Sequence, residues 1–208
     1  MKKIFQIEPS LDTAEKNELE KVIDSGWFTE SKKTREFERR FAKFTGSKYA
    51  CAVTSGTTGL YLALLAINIK NTDEVLVPDL TFIASPNSIR AVGGKPVLCD
   101  IEKKSLNIDI KSLEKKITRK TKAVMAVNFN GRSADMKQLS EFIKKHNLKL
   151  IEDAAHSLGS FYGNKHQGTK SDMGVFSFST PKIITTGQGG MIVTNNKILY
   201  ERCCELKD

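Results

Sequence analysis

Cysteine is scarce in this 208-residue sequence, and the four present, Cys51, Cys99, Cys203 and Cys204, follow no CxxC spacing and have no histidine cluster beside them. That pattern argues against zinc, any other metal site and a disulfide framework, and leaves reduced thiols as the expectation. Long apolar runs are missing too. The longest, LYLALLAI at 60–67, falls well below the roughly 18 residues that a membrane helix needs. No secretory leader is expected, because the basic start MKK runs straight into the polar IFQIEPSLD. These absences predict a cytoplasmic protein with no membrane partner. Acidic residues are outnumbered, 24 against 33 basic, for a formal net charge of +9. The lysines, however, are spread along helical surface segments such as KSLEKKITRKTK, without the interleaved aromatics or clustered arginines of a nucleic-acid reader. Solvated faces are the better reading, so nucleic acid is not expected; an anionic small molecule still suits the charge.

What is present is ordinary globular composition with a clear alternation of periods. Phe37, Phe41 and Phe44 fall at i, i+4, i+7 and predict an amphipathic helix that stops near Gly46. KYACAVTSGTTGLYLALLAI reads as a short strand, a small-residue turn and a helix. Strand-like segments follow at 74–78 (EVLVP), 96–101 (PVLCDI), 122–129 (KAVMAVNF) and 148–153 (LKLIED). Between the last two, Met136, Leu139 and Phe142/Ile143 share a helical face. Strands alternating with helices predict an α/β fold with a mostly parallel central sheet flanked by helices. GVFSFS (174–179) and GGMIVT (189–194) lie too close together for an intervening helix and read as neighbouring strands joined by a functional loop. No repeat or Pro-rich linker divides the chain, so one domain is expected. The final KILYERCCELKD begins a helix whose apolar face, Ile198, Leu199, Cys203 and Leu206, has nothing downstream to pack against.

Three constellations carry possible chemistry. In TSGTTGL (54–60), a turn opening a helix offers free N–H groups, the Thr57 and Thr58 hydroxyls and a permissive Gly56, which suits a phosphate. The same residues also read as a plain helix cap. In IEDAAHSLGS, Asp153 ends an apolar strand at the edge where open α/β sheets bind ligands, and His156 follows three residues on. A capping aspartate and a hydrogen-bonded histidine remain the alternative; His146 and His166 read as surface residues. In FSFSTPKIITTGQGG (176–190), Pro181, Ile183 and Ile184 surround Lys182 with apolar neighbours, and partial desolvation lowers an amine pKa toward nucleophilic competence. Taken alone it reads as a solvated loop lysine. Together, a phosphate site, a carboxylate for a ring nitrogen and a lysine for a Schiff base are the three anchors that pyridoxal phosphate requires.

With those residues assembled, the chain resembles the DegT/DnrJ group of pyridoxal-phosphate sugar aminotransferases, of the aspartate-aminotransferase fold class (PLP-dependent transferase fold type I). The matching segments are SGWFTESKKTREFERRFAKFTG, TSGTTGL, VPDLTFIASPNSI, NFNGRSADM, IEDAAHSLGS and FSFSTPKIITTGQGG. The resemblance implies that Lys182 bonds covalently to the cofactor and moves a proton, and that Asp153 pairs with the pyridinium nitrogen. It further implies that His156 lies beside the ring, Phe82 stacks on its face, and Gly56, Thr57, Thr58 and the Ser177 hydroxyl hold the phosphate. The implied reaction carries an amino group from glutamate to a nucleotide-linked 4-keto-6-deoxy sugar, in a homodimer. Many relatives have Glu where Gln188 stands. Family members run to roughly twice this length, so the 208 residues correspond to the large cofactor-binding domain, with 1–30 as an N-terminal arm and without the small C-terminal domain. A catalytically incomplete remnant that only folds or binds, or another fold type I enzyme such as a lyase or cysteine desulfurase, are the competing readings. The dehydratase branch, which carries histidine at the lysine position, is disfavoured by Lys182.

Overall fold

The computed structural model describes residues 8–207 and converts the alternating periods into three layers. The chain runs α1 (Thr13–Ser25), α2 (Lys32–Thr45), β1 (Tyr49–Val53), α3 (Gly56–Ala66), β2 (Glu74–Pro78), α4 (Ala84–Ala91) and β3 (Lys95–Cys99). It continues through α5 (Ile110–Lys116), β4 (Thr121–Val127), α6 (Met136–His146), β5 (Lys149–Asp153), β6 (Phe161–Tyr162) and β7 (Lys165–His166). The last elements are β8 (Met173–Ser177), β9 (Gly190–Thr194) and α7 (Lys197–Lys207). Seven strands form one sheet in the order β1-β9-β8-β5-β4-β2-β3, and β6 and β7 make a separate hairpin. Neighbours in the sheet pair in parallel except where β9 meets β1 and β8. In this sheet β9 alone runs in reverse.

Side-chain alternation along the strands sends residues to two cores. Val75 and Val77 of β2, Ala123 and Met125 of β4 and Ile151 of β5 pack with α3, α4 and α7. Leu76, Val124, Ala126 and Leu150 face the other way, onto α5 and α6. A third cluster joins Phe41 of α2 to Phe176, Phe178, Met191 and Val193. There the Phe37 and Phe41 rings lie 5.2 and 5.4 Å from Phe178. This aromatic cluster fixes the end of β8, from which the lysine loop departs. Phe44, the third member of the helical stripe, is 59% exposed near the helix end. Gly46 then terminates α2 in the left-handed conformation, φ 74°.

Two expectations need correction, and one gains detail. The apolar face of α7 does find a surface: Leu199 and Cys203 are buried in the core formed with α3, whereas Ile198 and Leu206 point to solvent. The helix folds back onto earlier elements. His166 is buried, not a surface residue. It packs against Phe44, Phe161 and Phe176, its Nε2 accepts from the Gly159 N–H at 2.8 Å, and its Nδ1 donates to the Gln167 carbonyl at 2.6 Å. The polar loop context reflected the backbone groups that satisfy the ring. The N-terminal arm contains a capped helix, with Asp12 and Glu15 forming a reciprocal capping box for α1, none of whose residues is buried. Its first seven residues lie outside the described residues. Among the described residues, no helix is long and apolar enough to cross a membrane.

Candidate active site

Because the other strands of the sheet run one way, their C-terminal ends gather at one edge, where open α/β sheets form clefts. A cleft of about 590 Å³ lies there. Its walls come from α3's first turn (Ser55, Gly56, Thr57), the segment after β2 (Thr81, Phe82), Asn128 and Phe129 after β4, Asp153 and His156 after β5, and Ser177, Ser179 and Lys182 after β8. Gln188 closes it just before β9. Six of the residues drawn from sequence as phosphate, ring and lysine groups, namely Gly56, Thr57, Phe82, Asp153, His156 and Ser177, therefore line one cavity together with Lys182.

Thr58 is the exception. Its hydroxyl lies 3.0 Å from Ser55 Oγ and 3.1 Å from Thr54 Oγ1, and it does not line the cleft. The Ser55 side chain accepts from the Thr58 N–H and caps α3. The N–H groups of Gly56 and Thr57, in the first turn, have no intrahelical acceptor and supply the donors. Cap and anion site are thus compatible readings of one turn.

Close backbone approach is what the glycines provide. A Cβ on Gly56 would sit 2.9 Å from Ser177 Cβ, and one on Gly190 would sit 2.6 Å from the Ser55 carbonyl and 2.7 Å from the Gly56 nitrogen. Gly190 pairs with both Val53 and Ser177, so it joins the strand ends that carry the α3 turn and the serine. Backbone cannot yield as a side chain can. Gly190→Ala is therefore expected to cost about 1–3 kcal/mol through overpacking. Urea unfolding checks it: the midpoint should fall with unchanged slope.

The lysine loop is tied down by its own threonines. Phe178 N–H donates to the Gly189 carbonyl at 2.9 Å, Thr186 N–H donates to the Phe178 carbonyl at 3.0 Å, and Thr185 Oγ1 donates to that same carbonyl at 3.0 Å. The Lys182 N–H donates to the Ser179 carbonyl at 3.0 Å. Ile183 and Ile184 do not shield the amine as expected; they are 69% and 44% exposed. Burial still pushes the Lys182 ammonium below its ordinary value, partly offset by Asp153, but the cleft walls do the burying.

Asp153 is buried at the C-terminal end of β5, where Ser85 Oγ donates to Oδ2 at 2.8 Å and the Ala155 N–H donates to Oδ1 at 3.2 Å. Thr81 Oγ1 lies 2.7 Å from Ser85 Oγ and extends that chain. Burial pushes the Asp153 carboxyl above its ordinary value, against these hydrogen bonds and the charges of His156 and Lys182. Burial likewise pushes His156 down, helped by Lys182 and opposed by Asp153. A desolvated acid beside a desolvated amine in a cleft is the signature of a functional site. A planar cationic ring would relieve the acid, and the α3 turn would take an anionic group, so the residues present fit a phosphorylated pyridine.

Sequence reasoning missed Ser85, Asn128 and Gln188. Ser85 is 68 residues from the aspartate it serves, a separation that no local pattern shows. Asn128 is fully buried, with Nδ2 donating to Glu152 Oε2 at 3.1 Å. Gln188 reaches the cleft because the loop returns to the sheet at β9 beside β8.

Residues 9–208 match the DegT/DnrJ/EryC1/StrS aminotransferase family. The chain belongs to that family. It is 44% identical over 208 residues, all of this chain and 57% of the relative, to a GDP-perosamine synthase of Escherichia coli O157:H7. Its fold superposes on the aminotransferase from Psychrobacter cryohalolentis with a TM-score of 0.92 at 35% identity, covering 95% of this chain and 51% of that one. A TM-score of 0.92 also relates it, at 32% identity, to a GDP-4-keto-6-deoxymannose-3-dehydratase solved with a trapped PLP-glutamate geminal diamine; 97% of this chain and 54% of that one are covered. The chain spans about half the length of the curated relatives it matches.

Proposed function

We propose that the chain is the cofactor-binding part of an aminotransferase that carries an amino group from glutamate to a nucleotide-linked keto sugar of the 4-keto-6-deoxy type, with pyridoxal 5′-phosphate as cofactor. The observation that carries this reading is the convergence of Lys182, Asp153 and the α3 turn on one cleft. The 44% identity to a GDP-perosamine synthase supports the sugar class, and the dehydratase solved with PLP and glutamate supports the donor.

When bound, the cofactor supplies an electron sink for the carbanion formed at the substrate carbon. Asp153, kept in place by Ser85 and the Ala155 N–H, holds the ring nitrogen's proton by its negative charge. Gly56 and Thr57 N–H groups with the Thr57 and Ser177 hydroxyls take the phosphate; Thr58 serves that turn from behind, through Ser55. Phe82, 68% exposed at the rim, would offer a ring face for stacking, and His156 would lie beside the ring. The Lys182 amine, with its affinity for a proton reduced by burial, would hold the cofactor covalently and would be the group placed to move a proton at the substrate carbon. Exposed Phe82, Ile83, Ile183 and Ile184 suit a second copy of the chain packed beside the cleft, as a homodimer.

A test uses the chain loaded with pyridoxal phosphate. Glutamate should convert the cofactor's absorbance band to that of its aminated form, and a nucleotide-linked 4-keto sugar should restore it. Cysteine acting in place of glutamate would overturn the reading in favour of a desulfurase. A second reading is cofactor binding without turnover; steady-state transamination by the 208 residues alone would exclude it.

A further inference from the structure

Away from the cleft, three of the four cysteines gather where α7 crosses β1. Cys51 in β1 and Cys204 in α7, 153 residues apart, bring their sulfurs to 3.9 Å. Cys203 turns the other way, its Sγ 3.8 Å from Met173 Sδ in the core. We propose that Cys51 and Cys204 form a reversible intramolecular disulfide on exposure to peroxide, making the β1–α7 junction an oxidative modification site. The expectation of reduced thiols rests on sequence spacing, which carries no information about a pair so far apart.

Position assigns the two roles. Cys204 is part-exposed and meets the oxidant first; Cys51 is 1% exposed and reaches only its neighbour. Burial, reinforced by Cys204, pushes the Cys51 thiol up, with Lys207 opposing, so Cys51 does not compete for the oxidant as a thiolate. The Cys204 thiolate attacks one peroxide oxygen, the O–O bond breaks, and a sulfenic acid forms as hydroxide leaves and becomes water with the proton that the Cys204 thiol released. The Cys51 sulfur then attacks the Cys204 sulfur and expels hydroxide, which leaves as water with the Cys51 proton. Two thiols and one hydrogen peroxide give one disulfide and two waters. Closure brings the sulfurs about 2 Å nearer, from 3.9 Å to the roughly 2.05 Å of a bond.

The experiment treats the full chain with hydrogen peroxide, then counts thiols after denaturation and maps the linked peptides by mass. Free thiols should fall from four to two, and the chain should become about 2 Da lighter. One digest fragment should link Cys51 to Cys204, and dithiothreitol should restore all thiols. Cys204→Ser should form no intramolecular disulfide, while Cys203→Ser should behave as wild type. Four persisting thiols, a fragment linked through Cys203, an intermolecular disulfide, or oxidation only to sulfinic or sulfonic acid would overturn the proposal.

Discussion

Lys182→Ala abolishes the absorbance band near the visible edge that pyridoxal phosphate gives with the wild-type chain, and transamination falls by about 10,000-fold or more. The loss is this large because one side chain provides both the covalent link and the proton transfer. Borohydride treatment reads it directly: the wild-type chain gains the mass of the cofactor less one water and plus two hydrogens at Lys182, and the variant gains none. The fold should survive, since only the Lys182 backbone N–H, which alanine retains, bonds to Ser179. Burial already penalises the lysine's charge, so the cofactor-free variant should melt no lower than wild type. A variant that keeps the band would place the covalent link on another lysine and remove the main support for the proposed function.

Asp153→Asn separates activity from stability. Asparagine keeps an acceptor for the Ala155 N–H and a group for Ser85 to bond, yet loses the charge that holds a proton on the ring nitrogen. Transamination should fall by about 100- to 1,000-fold, the scale of removing one preorganised electrostatic contact. Stability should move the other way. A carboxyl whose folded pKa is raised above its unfolded value of about 3.9 binds more protons folded than unfolded between the two. Stability is then fully present below the unfolded value and is lost as pH rises through the folded one. The cofactor-free variant should therefore melt above wild type at neutral pH, and the gap should close in acid. A lower melting temperature at neutral pH would mean that the carboxylate is stabilised in place, against the burial argument.

Much of the fold was legible because its signals are local. The predicted strand at 74–78 coincides with β2, and the helix face of Met136, Leu139 and Phe142 is the buried face of α6. The two segments flanking the lysine pair as neighbouring antiparallel strands. What escaped was long-range or small. The β6–β7 hairpin has two residues per strand, too few for an alternation to register. The Asp12 and Glu15 capping box was readable from spacing and marks a helix inside what looked like an arm. At the site, residue types and order pointed to the cleft, but orientation did not follow from them. Thr58 faces away, and the isoleucines beside Lys182 are exposed while more distant segments bury the amine. Ser85 and Cys204 acquire partners only once the chain has closed on itself.

The reversed direction of β9 has a topological effect on the lysine loop. A loop that leaves a parallel strand normally enters a helix and crosses to the far edge before the next strand begins. Here the chain leaves β8 and re-enters the sheet at β9 from the same edge, so both ends of the loop are held by adjacent hydrogen-bonded strands. Single-site proteolytic nicking between Thr180 and Gln188 should accordingly leave the two fragments associated through the sheet, with native-like circular dichroism, while releasing Lys182 from its tether. In engineering terms the loop is a replaceable cassette: its length and composition can be varied without rethreading the fold.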